Sequence, residues 1–243
     1  MIYIDAREGV SGDTLAAAML GLLEQNERDR TTKGLKGAAA AHGSDFTLRS
    51  IDDAGDKGLA LSYGEQASVA KHGASYDQSF SLLADMEEHI GFSSPTASAI
   101  LQLIFEAEGE AHGMPPEEVH LHEIGRPQAI LNIATLGFLS WRLIELGAGT
   151  FVCSTIVTGK GVISMSHGAV KIPPPASEAL LKNMTHVPGD APGERATPTG
   201  IAALKTIIRY QSDEVPRTFR ARSVGIGAKS FGGRLGRTIL LWV

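Results

Sequence analysis

Two histidines and a carboxylate fall within four residues at His120-Leu121-His122-Glu123. In an extended segment alternate side chains share a face, so His120 and His122 point together and Leu121 points away. In a helix the same two would stand about 200° apart. They form a ligand pair only on a strand or loop, which Pro115-Pro116 upstream and Gly125 and Pro127 downstream favour. Glu123 is either a third ligand or the carboxylate that orients an imidazole. Such donors suit zinc, nickel or iron rather than calcium or magnesium, which take all-oxygen shells. The spacing does not choose among those metals, and taken alone it fits surface or satisfied core histidines as well.

Elements that must position this cluster surround it. Gln78 to Ile90 and Thr96 to His112 read as helices, the second opened by Ser94-Pro95 as N-cap and N1. After the cluster, Ala129 to Leu146 is a long apolar helical run closed by Gly147. At the N-terminus, Met1 to Asp5 is a short buried strand. The loop Ala6 to Asp13 then leads to a helix over Thr14 to Leu23, with Ser11 as N-cap and Asp13 in the first turn. A strand, a glycine-containing loop and a helix N-terminus make a ready anion site, here without the Gly-Lys-Ser/Thr of a P-loop. Glu24 to Gly43 reads as a continuing helix or a connection. Phe46 to Ile51 and Leu59 to Tyr63 read as strands around an acidic turn that lacks calcium-loop spacing. Thr197-Pro198-Thr199-Gly200 introduces a further helix over Ile201 to Tyr210. Arg217 to Val224 and Thr238 to Trp242 read as an antiparallel pair across a glycine-rich turn, Gly225 to Gly236. The expected fold is α/β, a mixed sheet flanked by helices, in one body spanning 1–243 with room for a small α+β subdomain over 44–72.

A chain of 243 residues with 43% hydrophobic and 20% charged residues is globular in composition. Its single cysteine, Cys153, excludes an internal disulfide framework and fits a reducing compartment. No secretory signal and no bilayer-length apolar stretch stands out, so the expectation is cytoplasmic and without a membrane partner. Charge is uneven. From Arg209 onward seven basic residues face Asp213 and Glu214, so the tail carries +5 and the rest of a −5 chain carries −10. A cationic tail on an acidic body can hold an anionic small molecule, or it can be a solvated hairpin face. Aromatics are 6% and do not interleave with the basic residues, which argues against a nucleic-acid groove.

Taken in order, several blocks resemble the LarC family, the nickel-insertion proteins of nickel-pincer nucleotide cofactor biosynthesis. They are Asp5 with Ser11-Gly12-Asp13, Ala111-His112-Gly113, Val119 to Gly125, His167-Gly168, Pro173-Pro174-Pro175-Ala176 with Leu180-Leu181-Lys182, Glu194 with Thr197 to Gly200, and Gly225-Ile226-Gly227. The resemblance implies insertion of nickel into a pyridinium bis-thiocarboxylate mononucleotide at the expense of CTP. It implies a metal site of His120, His122, Glu123 and His167, with Glu123 and Asp13 catalytic. Gly9, Ser11, Gly12, Thr197, Thr199, Gly200, Arg222 and Arg237 are the expected nucleotide-binding residues.

The pattern also departs from the family. The Val-Asp-Ser that usually follows the histidine motif is here Pro127-Gln128-Ala129, and the second Asp is Asn132, so two carboxylates are neutral amides. The usual Phe-Ser before the first loop glycine is Arg7-Glu8. The match is to the N-terminal part of the family, so CTP and its magnesium or manganese are expected to come with a CTP-binding partner polypeptide. A homo-oligomer is expected too. The alternatives are a noncatalytic nickel-binding or delivery protein, an inactive divergent homologue, and an unrelated metal hydrolase resting on His120, His122 and His167.

Overall fold

Ile2–Asp5 (β1) forms the middle of the molecule, with Ile2, Tyr3 and Ile4 all buried. The computed structural model describes residues 1–64, 74–121, 124–165 and 168–243. β1 runs parallel to Phe151–Cys153 (β4) and antiparallel to Arg234–Trp242 (β7). The other strands of this sheet are Asp45–Asp53 (β2), Asp56–Gly64 (β3), Ile208–Gln211 (β5) and Ala221–Phe231 (β6). Their order is β5-β4-β1-β7-β6-β3-β2. The sheet is mixed, as expected, because β5, β4 and β1 are parallel while β7 pairs antiparallel on both sides.

Period-2 alternation splits β1 between two cores. Ile2 and Ile4 enter the large hydrophobic cluster, whereas Tyr3 packs with Val152 and Leu241 in a small one. The large cluster is built by Gly12–Leu22 (α1), Pro95–His112 (α4) and Pro127–Leu143 (α5), joined by Gln25–Ala41 (α2), Tyr76–Ile90 (α3), Pro175–Leu181 (α6) and Pro198–Ile207 (α7). Each fully buried Leu or Ile there contributes about 1.5–3 kcal/mol.

Local signals set the helix ends. Ser75 accepts the Gln78 N–H and Gly91 ends α3 at φ +78°. Ser94 and Pro95 open α4, and Gly113 at φ +68° closes it. The segment after Leu23 is the helix α2, with only Leu35, Ala38 and Ala39 buried.

Three expectations are corrected. The helix expected over Ile201 to Tyr210 ends at Ile207, and the chain continues as β5, paired with β4. The glycine-rich segment 225–236 is mostly strand, and the hairpin turns at Gly232-Gly233, both with positive φ. Gly225 serves close approach instead: a Cβ there would run into the Thr14 carbonyl of α1. Pro127–Ala148 does have the length and hydropathy of a bilayer span. It is a core helix, packed on α1, α3 and α4, and its apolar character is used in that packing. The β2–β3 hairpin, within the 44–72 segment, extends the main sheet through Leu59 of β3 beside Gly225 of β6.

Candidate anion and metal site

The β1–α1 loop turns at Gly9, φ +107°, where any side chain would strike the Arg195 carbonyl. The loop then pairs with the segment before α7: Val10 N–H donates to the Arg195 carbonyl at 2.9 Å, and Thr197 N–H donates to the Val10 carbonyl at 2.9 Å. This short parallel bridge sets the N-caps Ser11 and Thr197 side by side. Glycine lets the helices close on each other. A Cβ on Gly200 would lie 2.6 Å from the Val10 carbonyl oxygen, and one on Gly12 would lie 2.9 Å from Thr199 Cγ2. Thr238 locks the loop from the sheet side, donating to the Gly9 carbonyl at 3.2 Å and lying 2.8 Å from Thr14 Oγ1.

The result is a cleft of about 270 Å³ lined by Asp13 and Thr14 in the first turn of α1 and by Thr197, the N-cap of α7. Each helix N-terminus carries roughly half a positive charge, so two together favour an anion more than either alone. Gly9, Ser11, Asp13, Thr197 and Arg237 line the cleft, with Glu194 and Lys229. Gly12, Thr199 and Gly200 do not line the cleft; their close contacts hold the two helices together.

Asp13 brings a carboxylate to this positive end. Its Oδ2 would lie 4.0 Å from a Cβ on Gly227. Beside it, Tyr63 donates to Asn132 Oδ1 at 2.7 Å. Burial, followed by the Asp13 carboxylate, pushes the Tyr63 hydroxyl far above the ordinary phenol range, so it remains a donor. Asn132 thus stands next to Gly12 and Asp13. One turn earlier on α5, the Gln128 Oε1 is buried with no hydrogen-bond partner among the described residues.

The arginines expected to hold the ligand have other partners. Arg237 lines the cleft, but its side chain is fully buried and ion-paired to Asp53, to Asp56 at 2.7 Å and to Glu8 at 3.3 Å. Arg222 bonds Asp56 at 2.8 Å and faces a different depression, with Lys57 and Gly58. Arg222 and Arg237 therefore clamp the β2–β3 turn against β6 and β7. Arg222, ahead of Arg237, keeps the Asp56 carboxyl below its ordinary value against the opposing effect of burial.

His120 sits on the short strand His120–Leu121, paired with Ala74–Ser75, and is exposed while Val119 and Leu121 are buried. The extended reading of this segment holds at the two residues described. His122, Glu123 and His167 lie outside the described residues, as does His72. Among the described residues no group of three or more His, Cys, Asp or Glu is placed to hold a metal ion. Reasoning from sequence missed Tyr63 and Arg195. Tyr63 carries no local signal, and Arg195 lies just ahead of the basic tail that drew attention.

A model of the nickel insertion protein family matches residues 2–235. The chain belongs to that family. A relative from Staphylococcus epidermidis is 30% identical over 95% of this chain and 56% of its own length. One from Desulfitobacterium hafniense is 30% identical over 93% and 54%, and one from Nocardioides sp. is 28% identical over 96% and 56%. All three are named pyridinium-3,5-bisthiocarboxylic acid mononucleotide nickel insertion protein. The chain thus spans little more than half the length of these relatives. No solved structure matches it.

Proposed function

We propose that this nickel insertion family member binds a pyridinium mononucleotide carrying two thiocarboxylates and passes nickel to it. The observation that carries this reading is the cleft lined by the first turn of α1 and the N-cap of α7. Aligned backbone N–H groups there suit the phosphate. Asp13 at the same cleft supplies a carboxylate to a cation approaching with the ligand. His120, His122, Glu123 and His167 are the proposed nickel donors, holding a borderline metal until the softer sulfur ligands of the substrate take it. Glu123 is the proposed base for the ring proton lost as the metal–carbon bond forms. CTP, with magnesium or manganese, would be handled by a partner domain or polypeptide. The reducing setting that thiocarboxylates need is the cytoplasm.

The noncatalytic reading draws on a separate observation. Asn132, hydrogen-bonded by Tyr63 beside Asp13, is a neutral amide where the family resemblance implies a carboxylate. A chain with that amide would bind nickel while lacking one charge for the transfer. The deciding experiment pairs a nickel-binding isotherm with mass spectrometry of the nucleotide product, in the presence of CTP and a CTP-binding domain. Product formation, lost in His120→Ala/His122→Ala, is expected of the insertion reading. Nickel binding without product would favour delivery, and unchanged nickel affinity in the double variant would remove the histidines from the site.

A further inference from the structure

We propose that Arg195, with Arg7 and Arg234, lines a second anion-binding lobe that takes a carboxylate or thiocarboxylate on the ring of the mononucleotide. This rests on the reading above, in which the helix termini take the phosphate. The lobe is a cleft of about 420 Å³ between the β1–α1 loop, residues 188–190 and the tip of the β6–β7 hairpin. Arg195, Phe231 and Gly236 line it and the helix-terminus cleft alike, so the two adjoin at these residues. A ligand with anionic groups at both ends can lie across them.

Charge and donor accounting favour this lobe over Arg222 and Arg237. Three arginines line it against Glu8 and Asp190, and Glu8 is shared with the buried Arg237. A guanidinium has five N–H donors. Arg195 uses Nη2 on Asp190, while its Nε–H is buried with no hydrogen-bond partner among the described residues. Asp190 is 87% exposed, so that pair holds the arginine only weakly against a competing ligand. Arg234 reaches Glu8 at 3.4 Å and Asp56 at 3.3 Å, both long. Arg7 is tied to Asp5 through Nε and Nη2, which leaves Nη1. A planar carboxylate matches such forks.

Arg195 is also held in place before any ligand arrives. Its carbonyl accepts from Val10 and its N–H donates to the Thr158 carbonyl at 3.0 Å. The guanidinium lies over the Phe231 ring, 5.1 Å from the centroid. Phe231 in turn is wedged between Gly193 and Gly236, where a Cβ on either would lie 2.8 Å from the ring. The donor is thus preorganised at the boundary of the two lobes, which lowers the ordering cost of binding.

The test is calorimetric titration of the full chain with three probes. Nicotinic acid mononucleotide carries the pyridinium ring, one carboxylate and the phosphate. Nicotinamide mononucleotide replaces the carboxylate by an amide, and ribose 5-phosphate lacks the ring. The acid is expected to bind at least tenfold more tightly than the amide. Arg195→Met should abolish that preference. Because Arg195 is mostly buried and also lines the helix-terminus cleft, Arg7→Gln/Arg234→Gln at half-exposed positions outside that cleft is the second variant, and it should reduce the preference by at least threefold while leaving ribose 5-phosphate affinity within twofold. Equal affinity for acid and amide in the unmodified chain, or an unchanged preference in both variants, would overturn this inference while ribose 5-phosphate binding kept the phosphate reading intact. Failure of all three probes to bind would overturn the phosphate reading, and this one with it.

Discussion

Two regions of this chain read as anion sites, and the fold uses them in opposite ways. At the α1/α7 junction, backbone and small side chains do the building, and the two helix N-termini open onto one cleft. At the β6–β7 hairpin base, Arg222 and Arg237 supply more charge, yet that charge is committed to Asp53, Asp56 and Glu8. Positive charge in a sequence says nothing about whether an internal carboxylate already holds it. The capacity to bind is set by the donors left over, and those sit with Arg195, Arg7 and Arg234.

Removing the clamp gives the largest effect expected of this comparison. Arg237→Ala leaves Asp53 and Asp56 without their buried partner, and should cost about 3–5 kcal/mol. Thermal melting should show a fall in Tm of roughly 10 °C for a domain of this size. A fall of a degree or two would mean the network is incidental to the fold.

Next comes the junction itself. Gly200→Ala places a methyl 2.6 Å from the Val10 carbonyl oxygen, so the N-termini of α1 and α7 must separate. We expect about 1–3 kcal/mol of destabilisation and at least a tenfold loss of ribose 5-phosphate affinity. Tight phosphate binding by the folded variant would locate the anion elsewhere.

Acid should weaken the hairpin region through Asp56. Asp56 has a folded-state pKa below its ordinary 3.8 because of Arg222 and Arg237. Its contribution to stability is therefore fully present above that ordinary value and is lost as pH falls through the lower folded one. A denaturation series between pH 5 and pH 2 should show a loss of stability that is smaller in Asp56→Asn. Identical slopes in the two proteins would exclude Asp56 as its source.

The smallest effect concerns the amide beside Asp13. Asn132→Asp keeps the acceptor for Tyr63 and adds one negative charge. Nickel affinity should rise by about threefold to tenfold, the range of a nearby partly solvated charge, with little change in Tm. An unaltered isotherm would separate Asn132 from the metal path.

Much of the framework was legible along the chain because its signals are local. Ser94-Pro95 opens α4 through a bond within one turn, and the apolar run of β1 reads as a buried strand without a distant partner. The extended state of His120 followed in the same way from flanking prolines and glycine. What the sequence could not contain was the pairing of residues far apart in it. Tyr63 meets Asn132 across 69 positions, and Arg237 meets Asp53 across 184. The glycines of 225–227 look like a turn in isolation and are strand residues because the segment pairs with β7, with α1 lying against it. Composition and order thus determined the family and those elements whose signals are local. The tertiary structure alone decided which charges neutralise one another and which remain to meet a ligand, because that depends on long-range packing that no local pattern encodes.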